Sequence, residues 1–196
     1  MDTIGPHRVP MRIGSSRCGA GAFATDDLAQ GAIVLPQWHE SFYRGMEGWV
    51  TLSRREILRL PLDRRELFFR YGLDEDFDRI VGPLHHDYVR TVDNFINHSC
   101  EPNLQYDRFG NVVTARDIRA GEELSIDYGC FIVNFDERFD CHCGSPSCRS
   151  HIRRGDWKKL VGKYGFNLPR FLHSRIESSI IVSPVVEAPF NGQDAL

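Results

Sequence analysis

Short apolar runs, broken by glycine, proline and clustered charge, set the pattern of this 196-residue chain. Arg8 to Ile13 alternates loosely, and Ala32 to Leu35 is a short apolar run behind a Gln30-Gly31 turn. Both predict strands. Gly19-Ala20-Gly21 is expected to interrupt them and lead into Ala22-Phe23-Ala24. The period then lengthens. Ser53 with Glu56 three residues on predicts a capping box before a short helix, which Pro61 ends. Asp63 with Glu66 repeats the device, Leu67, Phe68 and Tyr71 give an apolar helical face, and Gly72 is a natural stop. Asp74-Glu75-Asp76 reads as a solvated loop. Strand signals return in Leu104 to Tyr106 and Val112 to Thr114, which flank a hairpin loop at Asp107-Arg108-Phe109-Gly110-Asn111. Leu124 to Ile126 is another short strand. Asp156 is placed to cap a helix through Trp157, Leu160 and Val161, and Pro169 to begin another carrying Phe171, Leu172, Arg175 and Ile176. From Ser183 onward, prolines and sparse apolar anchors predict a disordered tail. The fold class is mostly β with short helices, without internal repeats.

Composition narrows the picture. With 41% hydrophobic residues the chain can bury an ordinary core, and its length suits one principal domain with small appendages. No run approaches the roughly 18 apolar residues of a membrane span. The start shows no basic-then-apolar leader, so an intracellular protein with no membrane partner is expected. A formal net charge of −3 gives no case for direct nucleic-acid binding. Lys158, Lys159 and Lys163 are the only lysines, best explained by genomic base composition.

Six cysteines in such a chain argue against a disulfide framework. Cys141, Cys143 and Cys148 form C-x-C-x4-C, which favours a metal. Structural zinc takes four tetrahedral ligands, and the cluster supplies three. Spacing leaves the fourth open among Cys100, His142 and His151, and leaves open that the thiols are simply buried. Cys18 and Cys130 read as ordinary thiols.

Three segments share a further pattern: Asn97-His98-Ser99-Cys100, Gly121-Glu122-Glu123-Leu124-Ser125-Ile126-Asp127-Tyr128, and Cys141-His142-Cys143-Gly144-Ser145-Pro146-Ser147-Cys148. Together they resemble the C-terminal half of a SET-domain protein-lysine methyltransferase with a post-SET zinc motif and no pre-SET region. The resemblance covers roughly residues 7–152 and is most specific over 94–148. It implies the SET fold, small curved sheets with a pseudoknot, over 7–135, with a variable insert at about 41–90 forming one wall of the substrate groove. It further implies a post-SET zinc loop over 136–152, a C-terminal helical segment over 153–182 and the tail over 183–196. Methyl transfer from S-adenosylmethionine to the side-chain amine of lysine in a protein is the implied activity. Tyr128 would be catalytic. Asn97 and His98 would bind the cofactor, with Gly19, Ala20 and Gly21 against its methionine end. Cys100 would complete the structural zinc site with Cys141, Cys143 and Cys148. Ile126 and Phe95 would line the substrate channel. The implied partner is a lysine-containing protein or peptide, histone or non-histone. The implied location is intracellular: the nucleus in a eukaryote, and the cytoplasm, or secretion as an effector, for a bacterial protein. Monomer and dimer both stay open.

The implied chemistry asks little acid–base machinery of the protein. A sulfonium donor is already activated, and the acceptor amine must be neutral. From a free pKa near 10.4, neutralising lysine at pH 7 costs about 4.6 kcal/mol, which a narrow apolar channel and a neighbouring positive sulfonium lower. Orientation of bound reactants supplies roughly 7–11 kcal/mol. Three departures from the family stand out. Asn94 replaces a common arginine. Leu35-Pro36-Gln37-Trp38 lacks the usual tyrosine-glycine pattern. Ile126 replaces an aromatic residue that limits methyl count, so di- or trimethylation is expected to fit. The departures at 36 and 94 keep an alternative: a catalytically inactive SET-fold module that binds a peptide or protein. An intact Tyr128 argues against it.

Overall fold

Residues 5–135 and 139–182 are described in the computed structural model, so the expected 183–196 tail lies outside them. Five small sheets of two or three strands carry the described fold. β1 (Met11–Ser16) and β2 (Gly19–Ala24) form an antiparallel hairpin in register from Met11↔Ala24 to Ser16↔Gly19. Two expectations are corrected here. The first strand starts at Met11 rather than Arg8, because Pro10 has no amide hydrogen for the ladder. The glycines at 19 and 21 lie within β2 rather than interrupting the strands, since Gly14 and Gly21 pair directly across the hairpin.

β3 (Ile33–Leu35) leads to α1 (His39–Arg44), β4 (Trp49–Leu52), α2 (Arg54–Ile57), α3 (Leu62–Tyr71), β5 (Leu73–Asp76) and β6 (Arg79–Pro83). β4, β6 and β5 make one antiparallel sheet. The capping box at α2 forms: Ser53 N–H donates to Glu56 Oε2 at 2.8 Å, and Glu56 N–H donates to Ser53 Oγ at 3.3 Å. The second box does not. α3 begins at Leu62 behind Pro61, with no side-chain cap, because the proline ring already presets the helical entry. The Asp74–Asp76 loop is also corrected: it is part of β5. Glu75 is buried there between Arg44 (2.6 Å) and Arg79 (3.1 Å). Asp74 Oδ2 accepts the amide hydrogens of Val133 (2.7 Å) and Asn134 (3.0 Å).

β7 (Asn97–His98), β8 (Leu104–Tyr106), β9 (Val112–Thr114) and β10 (Ser125–Ile126) follow. β8 and β9 form the expected hairpin, and β3 adds to β9. Asp107 Oδ1 shapes its loop by accepting from Phe109 and Asn111 N–H. β7 and β10 pair in parallel, Asn97 opposite Ser125 and His98 opposite Ile126. Asn103 fixes that pairing: its Nδ2 donates to Glu123 O and its Oδ1 accepts from Ser125 N–H, both at 2.8 Å.

β11 (Phe139–Asp140) and β12 (His151–Ile152) bracket the cysteine loop, and α4 (Trp157–Tyr164) and α5 (His173–Val182) end the described chain. Pro169 opens only a single 3-10 turn, Arg170–Leu172, before α5. Asp156 caps by another route than expected: its side chain accepts from Arg153 N–H at 3.1 Å and not from α4. Trp157, Leu168, Leu172 and Ile176 are buried in the same core as Ala22, Val34, Leu104, Val112 and Leu124. Burying a Leu or Ile side chain is worth about 1.5–3 kcal/mol, so the C-terminal helices are integral to the packing. No helix among the described residues is long and apolar enough to cross a membrane.

Candidate active site

Parallel pairing of two-residue strands seldom persists alone, yet β7 and β10 place the two motif segments side by side. Tyr128 follows β10 in a 3-10 turn, Tyr128–Cys130, which Asp127 initiates by accepting Gly129 N–H at 2.9 Å. Several contacts hold Tyr128. Its hydroxyl donates to Ile96 O at 2.8 Å. Its amide donates to His98 Nδ1 at 3.1 Å. Its ring packs on Phe131 with centroids 5.3 Å apart. Burial pushes the phenol well above its ordinary pKa, so it is protonated at neutral pH.

A cleft of about 500 Å³ opens beside it, within the usual range for ligand sites of about 300–1,000 Å³. Ala20, Phe95, Asn97, Ile126 and Tyr128 line it together. Gly19, Gly21 and His98 do not, and the structure gives each another task. Gly19 sits at φ 107°, a left-handed conformation that turns β1 into β2. A Cβ at Gly21 would lie 2.4 Å from Glu123 Oε1. That carboxylate accepts from Asn97 Nδ2 at 2.8 Å, and the same amide donates to Ala20 O at 3.0 Å. Asn97 therefore spends its N–H groups on Ala20 and Glu123, which leaves Oδ1 as an acceptor. His98 is buried behind Tyr128, and that burial lowers its pKa to about 4 although Asp127 opposes the shift. The ring is neutral at pH 7.

No motif named the residues of the far wall, although part of it falls in the 41–90 segment expected to line the groove. Aromatic side chains from α3 and from the segment after Tyr128 form much of it: Phe68, Phe69, Tyr71, Phe131 and Phe135. His39, Tyr43, Asp93 and Asn94 add a polar corner. Tyr43 hydroxyl lies 2.7 Å from Thr91 Oγ1 and donates to Asp93. Asn94 Nδ2 donates to Thr91 Oγ1, so the residue standing in place of arginine is absorbed into this network. His39 Nδ1 donates to Pro36 O at 2.9 Å, and burial lowers its pKa. The i, i+4 spacing of His39 and Tyr43 was the one local sign, and it is as common on any helix.

Cys100, Cys141, Cys143 and Cys148 form one cluster, with all four sulfurs within 4.8 Å of one another. Cys100 and Cys141 sulfurs are 3.9 Å apart. Ligands at about 2.3 Å from a tetrahedral zinc are separated by about 3.8 Å, so the four could hold such an ion. Backbone N–H groups of Arg149 and Ser150 donate to Cys100 Sγ (3.3 Å) and Cys148 Sγ (3.4 Å). His142 and His151 lie outside the cluster, and His151 Nδ1 instead meets Asp140 Oδ1 at 2.7 Å. Cys18 is exposed at the cleft and Cys130 is buried.

Residues 19–129, over half the chain, match the SET domain family, and the chain belongs to it. It is similar to the histone-lysine N-methyltransferase ash1 of Drosophila melanogaster, 37% identical over 166 residues, covering 70% of this chain and 7% of that protein. It is also similar to the histone-lysine N-methyltransferase ASHH3 of Arabidopsis thaliana, 28% identical over 164 residues, covering 80% and 42%. Among solved structures, the methyltransferase domain of human histone-lysine N-methyltransferase SETMAR aligns with a TM-score of 0.48 and 21% identity, over 74% of this chain and 58% of that one. The chain thus spans less than half the length of either protein relative. The cysteine loop, α4 and α5 lie beyond the family match.

Proposed function

We propose that this protein transfers methyl groups from S-adenosylmethionine to a lysine side chain of a protein, with zinc held by Cys100, Cys141, Cys143 and Cys148. The observation that carries this reading is the opening of Ala20, Asn97, Ile126 and Tyr128 onto one cleft. The donor's chemistry fits those residues: Asn97 Oδ1 and the backbone of β2 suit an α-ammonium and its amino-acid end. When bound, the donor supplies an activated methyl group on a positively charged sulfur.

The chain's own residues supply orientation. Tyr128 hydroxyl donates a hydrogen bond to Ile96 O and retains acceptor capacity on its oxygen for an amine N–H. Phe95 and Ile126 present apolar walls, which disfavour the ammonium form of an entering lysine. The aromatic far wall excludes water and favours alkylated ammonium through ring faces. Tyr128, its phenol pKa raised by burial, serves to orient the entering amine. Ile126 carries no hydroxyl to anchor a crowding water, so the product reaches di- or trimethyl-lysine. The relatives' names point to histones as the first substrates to try. Incubation with S-adenosylmethionine and core histones, read by mass spectrometry, is expected to give di- or trimethylated lysine. Donor binding by calorimetry without any methyl-lysine on histones or on a broad protein array would count against it and favour an inactive binding module.

A further inference from the structure

Two hydrogen-bonded struts run from the cysteine cluster to either side of Tyr128. The first leaves Cys100. Tyr128 N–H can only donate, so His98 Nδ1 accepts it at 3.1 Å. The ring's other nitrogen, Nε2, lies 3.4 Å from Cys100 Sγ. The second leaves Cys148. Arg149 follows it in sequence and reaches Asp127 with a two-armed contact, Nη1 to Oδ2 at 2.9 Å and Nη2 to Oδ1. Asp127 is almost wholly buried, accepts Gly129 N–H at 2.9 Å, and begins the turn that carries Tyr128. A Cβ at Gly129 would lie 3.1 Å from Arg149 Nη2 and 3.1 Å from Asp127 Oδ1, so a glycine makes room for the fork.

From this geometry we infer that Arg149 is a positioning residue for Tyr128, coupling the metal loop to the methyl-transfer site. A buried carboxylate is costly unless paired and hydrogen-bonded. Asp127 therefore keeps the turn in place only while the guanidinium is presented, and the position of Arg149 is set by Cys148 and by its own N–H on Cys100 Sγ. Guanidinium geometry matters here beyond charge, because lysine cannot make a planar fork. The loop thus acts as a brace on the turn that carries Tyr128. This inference rests on the lysine-methyltransferase reading for its kinetic consequence but not for its structural one.

The test uses the full chain with Arg149→Lys, alone and combined with Tyr128→Phe. Zinc content per chain is expected to be unchanged in Arg149→Lys. Amide exchange of residues 127–131 should rise at least about tenfold, while β8 and β9 stay protected. On core histones, kcat should fall about 10- to 100-fold, with KM within about twofold. In the Tyr128→Phe background the same change should cost less than about twofold, because coupled residues are not additive. Unchanged exchange at 127–131, zinc loss in Arg149→Lys, or an equal kcat loss in both backgrounds would each overturn the inference. The exchange readout needs no substrate, so it decides the brace even if methyl transfer itself is never detected.

Discussion

Ile126 lines the cleft at the end of β10, just before the turn that carries Tyr128, and its lack of a hydroxyl sets the expected product. Ile126→Tyr should shift product from di- or trimethyl towards monomethyl-lysine, counted by mass spectrometry. Continued trimethylation by the variant would show that methyl count is set elsewhere. Gly21 is a second residue with a sharp requirement. Its missing Cβ leaves room for Glu123 Oε1, on which Asn97 depends. Gly21→Ala should weaken S-adenosylmethionine binding in calorimetry by more than it lowers stability, because a carboxylate can swing away but Asn97 then loses its anchor. Residues of this kind were legible where chemistry and motif coincide: Tyr128, Asn97 and the four thiols. Arg149 and Asp127 were not, because their pairing spans 22 residues and neither type is unusual alone. The resemblance implies that His98 binds the cofactor, and its buried ring bridges Tyr128 and Cys100. Asp93 and Tyr43 lay in separate segments with no shared pattern.

Elements whose signals are local were the readable ones. The Ser53–Glu56 box and the Asp107 loop use partners within four residues, so their sequence carries their geometry. β5 shows the opposite case. Three successive acidic residues oppose strand propensity, and only distant partners reverse the outcome: Arg44 for Glu75, and the amides of 133 and 134 for Asp74. Glu75→Ala should therefore lower stability by about 1–3 kcal/mol in urea unfolding, the cost moderated because both arginines are half-exposed and can turn to water. Asp74 makes a pH-dependent prediction. Burial raises its pKa, and the Val133 and Asn134 amides oppose this in part. A raised folded pKa contributes stability that is present in acid and lost as pH rises through it. Asp74→Asn should accordingly gain stability relative to wild type as pH rises above the ordinary carboxylate range of about 4. A constant difference over that rise would show that Asp74 is solvated in the fold.

At the scale of the molecule, no single cluster of sequence signals announces that the C-terminal helices share the central core. Leu168, Leu172 and Ile176 are fully buried against strands more than 40 residues earlier in the chain. Leu172→Ala should cost about 2–5 kcal/mol, far more than a change on a dispensable appendage. Zinc removal is the matching test at the other end of the site. Chelation should expose residues 139–152 to protease and raise exchange around Tyr128, since loop and turn share Arg149 and His98. Unaltered proteolysis after verified metal loss would mean the loop packs without an ion.

Tyr128 joins all three scales, as one phenol on one turn braced by one loop. Transfer of labelled methyl from S-adenosylmethionine to core histones by wild type and Tyr128→Phe, with donor affinity measured in parallel, addresses it most directly. Label on lysine with wild type is expected, falling by at least about 100-fold in the variant while donor affinity changes little. Equal labelling by both proteins would contradict the role assigned to that hydroxyl.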